Sequence, residues 1–199
     1  MSKLKELVLQ NRSYRGYDNS VRQTKAELME LVDHARLMPA AKNAQPLKYF
    51  LAYEKEVVDQ IQAHTKWAGL LADLNLPFEG TKPTSFIVIL QDTEIEPVLA
   101  GFQVDVGITS AAITLAAAEK GLGCCMIGSY SGAGVKEVMQ LPENLSPVLV
   151  IALGKPAEEI VLTDAVDGKV AYYRDENNVH YVPKRKLEDV IVGWLEIKK

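Results

Sequence analysis

The sequence predicts an α+β fold in which one small sheet is covered by helices. Three observations point there. Continuous apolar runs of strand length are few, amphipathic or Ala-rich helical stretches outnumber them, and the two do not alternate in the regular βαβ order of a doubly wound sheet.

The elements follow in order. Leu4, Leu7 and Val8 fall at helical spacing, predicting a short amphipathic helix over Ser2 to Gln10. Thr24 followed by Glu27 is a capping-box pattern, and Leu28, Leu31, Val32 and Ala35 give the helix it opens one apolar face. Pro39 marks the end of that helix or the loop beyond it. Tyr49 to Tyr53 reads as a buried strand and Glu54 to Ala63 as a helix. Trp67, Leu70, Leu71 and Leu74 suggest one more short helix, broken up by Pro77, Gly80 and Pro83. Phe86 to Leu90 is a continuous apolar strand. Phe102 to Lys120 is a long Ala-rich helix closed by Gly121, the residue type that tolerates the left-handed C′ position. Cys124 to Ile127 is a strand stopping at Gly128, Val135 to Met139 a short helix, and Pro147 to Leu153 a third strong strand ending at Gly154-Lys-Pro156. From Pro183 the tail is basic and then apolar, at Leu187, Val190, Ile191, Trp194 and Leu195. That apolar tail has no evident partner within the chain and suits a second copy.

With 199 residues the chain has the length of a single domain and is expected to be one over 1–199. A chain of this size buries about 70% of its unfolded surface. The net charge of −4 argues against nucleic acid or an anionic membrane surface as the general partner. No apolar run approaches the roughly 18 residues of a membrane span. The N-terminal stretch lacks the apolar core and small-residue site of a secretory leader. The two cysteines, Cys124 and Cys125, are adjacent, and neighbours make a strained bridge. Together these features predict a cytoplasmic protein with reduced, buried cysteines and no metal centre.

In an acidic chain, the cationic stretch Arg12-Ser13-Tyr14-Arg15 calls for a reason. Guanidinium forks and a hydroxyl suit phosphate oxygens. Taken alone, the stretch equally describes a solvated helix end, where Arg complements the dipole. A second basic cluster, Lys184-Arg185-Lys186, is by itself an ordinary charged loop, yet the two together could neutralise a phosphate of charge near −2. The segment from Pro39 to Pro46 carries two side-chain amides, Asn43 and Gln45, able to read a heteroaromatic edge or simply to make a turn. Gly121-Leu-Gly123 follows a helix and enters a strand, the reverse of a Rossmann fingerprint, so a Rossmann fold is excluded. Phosphate-loop, nucleophile-elbow, zinc-protease and Cys-x-x-Cys motifs do not occur. An enzyme built this way would rely on a cofactor.

In order, Asn11-Arg-Ser-Tyr-Arg15, Arg36-Leu-Met-Pro39-Ala-Ala-Lys-Asn43-Ala-Gln45-Pro46, Gly121-Leu-Gly-Cys-Cys-Met-Ile-Gly128, Ala152-Leu-Gly154-Lys-Pro156 and Lys184-Arg185 resemble the blocks of the FMN-dependent nitroreductase family. They span nearly the whole chain. The resemblance implies a mainly antiparallel sheet and a homodimer whose C-terminal tails clasp the opposite subunit, with FMN at the interface. It further implies that Arg12, Ser13, Lys184 and Arg185 hold the phosphate and ribityl chain, and that Arg15 approaches the pyrimidine edge. Pro39, Ala40, Ala41, Asn43 and Gln45 would line the flavin from the partner. Gly128 and Ser129 would approach its N5 region, with Ile127 beside them. NADH or NADPH would deliver hydride in a ping-pong cycle, and a nitroaromatic, a quinone or a related acceptor would then be reduced. A dimer that stores or senses flavin without turnover, or a relative with other flavin chemistry such as reductive dehalogenation, uses the same scaffold. The chain departs from the family at Asn11, often Arg there, at Ala40, commonly Ser, and at Leu47, commonly Trp. The stretch from His64 to Phe86 is the expected substrate cover, with Trp67 as a wall.

Overall fold

A computed structural model describes residues 1–195. Contacts divide the chain into two compact units, Met1–Ala157 and a second beginning at Glu158. The first unit runs α1 (Lys3–Gln10), β1 (Tyr17–Asp18), α2 (Lys25–Arg36), β2 (Leu47–Ala52), α3 (Lys55–Ala63), β3 (Ser85–Asp92), α4 (Gln103–Glu119), β4 (Gly123–Ile127), α5 (Gly132–Val138) and β5 (Leu145–Pro156). The second holds β6 (Ile160–Asp164), β7 (Tyr173–Arg174), β8 (His180–Lys184) and α6 (Leu187–Val190).

The five-stranded sheet of the first unit is antiparallel throughout, in the order β1-β5-β3-β2, with β4 also on β5. β5 is the longest strand because its far half has two successive partners. Residues 150–154 pair with β4, and Lys155 and Pro156 continue past Gly154 to pair with β1. The sequence pattern ended this strand too early, since Pro156 is compatible with a strand whose partner is only two residues long.

The uninterrupted apolar run of β3 has a simple cause: both faces of the sheet are covered. Phe86, Val88 and Leu90 pack with Val58 and Ile61 of α3 and with Val135 of α5. Their neighbours Ile87 and Ile89 pack with Leu28 and Leu31 of α2 and with Ile113 and Ala117 of α4. A strand buried on both sides loses the alternation that would otherwise mark it. The cysteines show the same arrangement, with Cys124 in one core cluster, Cys125 in the other, and both side chains buried and outside any disulfide.

The capping box of α2 forms as the sequence predicts. Glu27 N donates to Thr24 Oγ1 at 3.3 Å, and Thr24 N donates to Glu27 Oε2 at 2.7 Å. The Thr24 N–H and hydroxyl, both donating to the Glu27 carboxylate, hold it below its ordinary pKa. Thr24→Ala should therefore cost about 1 kcal/mol, measurable as a shift in the urea midpoint at unchanged m-value.

The long helix ends as expected, at Gly121 with φ 71°. The stretch from 64 to 84 contains only a 3-10 turn, Gly69–Leu74.

The sequence pattern offered no element between 157 and 182, where the structure has a three-stranded sheet. β6 runs parallel to β8, and β7 is antiparallel to it. β6 opens with a short apolar run, Ile160-Val-Leu162, that the sequence pattern passed over, while the rest of the sheet gathers around polar and aromatic groups. Arg174 and Glu158 form a buried ion pair, His180 is fully buried with Tyr172 edge-on at 5.4 Å, and Tyr173 stacks on Tyr181 at 5.1 Å. Beyond it, the apolar side chains of Leu187, Val190, Ile191, Trp194 and Leu195 are exposed. The last four residues of the expected tail, 196–199, lie outside the described residues.

Candidate functional site

The cationic stretch is a loop pinned at several points. Asn11 ends α1, its N–H donating to Leu7 O at 2.8 Å, while its side-chain amide donates to Thr114 Oγ1 of α4 at 2.9 Å. Ser13 bridges Cys124, and Tyr14 N donates to Cys124 O at 2.9 Å, so the loop lies along the free edge of β4. The ring of Tyr14 sits over Gly123, where a Cβ would come within 2.6 Å of it. The Asn at position 11, where the family often has Arg, thus ties the loop to α4.

Within the loop, the Arg12 guanidinium is half-buried. One terminal nitrogen donates to Val8 O at 2.6 Å, but Nε is buried without an acceptor among the described residues. Burial draws the pKa of Arg12 below its ordinary value, the signature of a cation desolvated without a matching anion. Ser13 is exposed beside it, and Arg15 donates to Ser13 O at 3.2 Å. A buried guanidinium N–H with no acceptor, next to an open hydroxyl, fits a phosphate oxygen.

The second segment, from Pro39 to Pro46, is strained. Lys42, Asn43 and Gln45 all take left-handed φ values, 53°, 53° and 52°. Asn accepts this conformation more readily than Lys or Gln, and each such residue costs on the order of 1–2 kcal/mol. Gln45 Nε2 donates to Asn43 Oδ1 at 3.2 Å, so the two amides partly engage one another. Pro39, Asn43 and Gln45 are exposed, and Ala40 and Ala41 are half-buried. Ala41 N donates to both carboxylate oxygens of Asp105, at 3.0 and 3.2 Å.

The third segment follows β4. Ile127 is buried, and Gly128 and Ser129 are exposed. A Cβ at Gly128 would meet no protein atom within 4 Å, so packing within this chain does not demand a glycine there. Beyond it, Lys66 N donates to Ser129 O and Ser131 N to His64 O, both at 2.8 Å, stitching 64–66 to 129–131. Trp67 follows directly. Its indole N–H donates to Thr65 Oγ1 at 2.8 Å and its ring packs against the core, so much of the expected wall is core packing.

Helix α4 connects the first two segments, with Asp105 holding Ala41 and Thr114 holding Asn11. Lys184 and Arg185 lie exposed at the end of β8 in the second unit. Asp105 and Thr114 escaped the sequence reading. A signal for the first was present: Asp105 is the sole charged residue between Phe102 and Ala118, in an otherwise apolar helix. Its partner is 64 positions away and carries no side-chain signal, because the donor is a backbone N–H.

Among the described residues no group of His, Cys, Asp or Glu is placed to hold a metal ion. No helix among them is long and apolar enough to cross a membrane.

Comparison with known proteins matches residues 8–155 to the Nitroreductase family. A relative from Methanothermobacter thermautotrophicus, named as an NADH dehydrogenase/NAD(P)H nitroreductase, is 26% identical over 81% of this chain and 82% of its own length. An FMN-dependent nitroreductase from Clostridium difficile superposes with a TM-score of 0.61 at 25% identity, covering 77% of this chain and 87% of that one. A nitroreductase from Exiguobacterium sibiricum, solved in complex with FMN, has a TM-score of 0.66 at 19% identity, covering 79% and 90%.

Proposed function

The chain belongs to the nitroreductase family, and from that premise we propose that it is an FMN-dependent oxidoreductase. In this proposal it takes electrons from NADH or NADPH and passes them to nitroaromatic, quinone or related acceptors. The observation that carries the reading is the buried Arg12 Nε without a protein acceptor, on a loop fixed to β4 and α4. The FMN-dependent relative from Clostridium difficile supports the choice of cofactor.

When bound, FMN supplies the two-electron relay that lets donor and acceptor react in turn at one site. The residues of the chain bind and orient. Arg12 and Ser13 take the phosphate, and on the family pattern Lys184 and Arg185 add charge for it. Arg15 faces the ring, where a fixed cation favours the negative charge of the reduced state. Ile127, Gly128 and Ser129 line the reactive edge, where the open space at Gly128 leaves room for close backbone approach. Pro39, Ala40, Ala41, Asn43 and Gln45 form the other wall, given by a second copy of the chain. A homodimer is further supported by the exposed apolar residues after Lys186 and by Val104 on α4, 71% exposed. In this proposal residues 1–199 form one nitroreductase-like domain working in the cytoplasm, which suits two buried cysteines outside any disulfide.

The test is anaerobic mixing of the FMN-loaded protein with NADH and with NADPH. The yellow absorbance is expected to bleach with at least one of them and to return on adding a nitroaromatic or a quinone. Flavin that binds but bleaches with neither would instead make the protein a flavin-storing or flavin-sensing dimer. Failure to take up FMN at all would sink both readings.

A further inference from the structure

Asp105 is a buried carboxylate, 3% exposed, in the first turn of α4. An ionised carboxylate has about four lone-pair sites to satisfy. Among the described residues its donor is one backbone N–H, that of Ala41, shared between its two oxygens. Burying a charge on so few partners is costly. The start of α4 offsets part of this through its dipole, and no side chain caps that helix end.

The residues beyond Ala41 raise the same question. Lys42, Asn43 and Gln45 are left-handed without being glycine, and such a backbone persists only where its surroundings over-determine it. The bonds within the segment are local: Asn43 N to Ala40 O at 3.0 Å, Ala44 N to Ala41 O at 3.0 Å, and Gln45 to Asn43. They shape the segment without fixing it to the body of the protein. Its far end is held where Asp92 N donates to Pro46 O at 2.8 Å, and the Asp105 bond fixes its start. The anchor is itself rigid, because Thr109, one turn on, donates to Asp105 O at 2.9 Å and is hydrogen-bonded to Tyr49 of β2. Tyr49, Asp105 and Thr109 border a cavity of about 60 Å³ beneath Ala40 and Gln45.

We propose that Asp105 is a positioning residue: its carboxylate fixes the Ala41 N–H and thereby holds the 42–45 backbone, left-handed at 42, 43 and 45, in the shape that receives the flavin. This rests on the reading of 39–45 as a flavin wall. A buried, charge-assisted bond to a backbone N–H imposes a geometry that no surface side chain supplies, and it does so before ligand arrives.

The test uses the full chain with Asp105→Ala and Asp105→Asn. Hydrogen exchange is followed in the FMN-free protein, and FMN affinity is read from flavin fluorescence. In Asp105→Ala, exchange at residues 41–45 should rise about tenfold while the sheet is unchanged, and FMN should bind about tenfold more weakly. Asp105→Asn keeps an accepting oxygen and should restore most of both. Unchanged exchange at 41–45 in Asp105→Ala overturns the proposal. So does a rise spread evenly through α4 and the sheet, which is general destabilisation. A loosened segment with unaltered FMN affinity overturns the positioning role while leaving the flavin site intact. Wild-type protein that takes up no FMN overturns the flavin reading, and this role with it.

Discussion

Arg12→Ala should weaken FMN binding by about 10- to 100-fold, the loss of a charge-assisted hydrogen bond of roughly 1.5–3 kcal/mol. The size follows from burial. An exposed arginine gives little in water, because salt and solvent screen it. Arg12 is half-buried, and its Nε has already lost water without gaining a protein acceptor. That desolvation is present before the ligand arrives, so a phosphate oxygen finds the donor ready. Titration of the apoprotein with FMN, followed by flavin fluorescence, measures the effect. Arg12→Lys should recover part of it, since an ammonium supplies charge without the planar fork. Arg15→Ala is the informative partner. If Arg15 faces the ring as proposed, removing its cation should lower the midpoint potential of the bound flavin, because the reduced, negatively charged state loses stabilisation. If both variants lose affinity equally and neither shifts the potential, the division of labour between the two arginines is wrong.

Gly123→Ala should destabilise the protein by about 1–3 kcal/mol, lowering Tm by roughly 2–10 °C at this chain length. A Cβ there would lie 2.6 and 2.7 Å from atoms of the Tyr14 ring and 2.9 Å from Pro156. The atoms met are ring carbons close to the backbone, so the clash cannot be relieved by swinging a flexible end away. Tyr14 must move, and it lies in the loop between Arg12 and Arg15, so FMN affinity should fall together with Tm. Gly128→Ala makes the contrast. Its new methyl would meet no protein atom within 4 Å, so thermal stability should stay within about 0.5 kcal/mol of wild type while FMN binding drops. Differential scanning fluorimetry of the apoproteins with parallel FMN titrations separates the two effects. A Gly123→Ala protein as stable as wild type would show that the Tyr14 loop yields more easily than its packing implies.

Much of the first unit can be read directly from the chain. The capping box at Thr24, the apolar faces of α2 and α4, the β3 run and the stop at Gly121 each rest on local physics, and each appears where local physics puts it. The parts that escape depend on distant partners. β1 is two residues long and exists because β5 overruns Gly154 to meet it. In the three-stranded sheet of the second unit, apolar pattern marks only Ile160-Val-Leu162, while Arg174, Glu158, His180 and stacked tyrosines organise the rest. For the candidate site, residue types announce Arg12, Ser13 and Arg15, and family order announces the 39–45 and 127–129 segments. Beyond the lone charge at Asp105, the sequence does not show what holds them: a side-chain amide on a threonine 103 positions away and a carboxylate on a backbone N–H 64 positions away.

Those two holdings share α4, and their spacing has a consequence for how this chain can change. Asp105 and Thr114 are nine residues apart, about 13 Å and two and a half turns, so they face opposite flanks of one rod. Loops before and after the helix can lengthen freely. A single residue inserted between 105 and 114 would swing one anchor by about 100° relative to the other and detach either the arginine loop or the 39–45 wall. Length variation among descendants of this chain should therefore fall outside that nine-residue interval, which works as a fixed gauge between the arginine loop of one proposed site and the 39–45 segment that the same copy gives to the other.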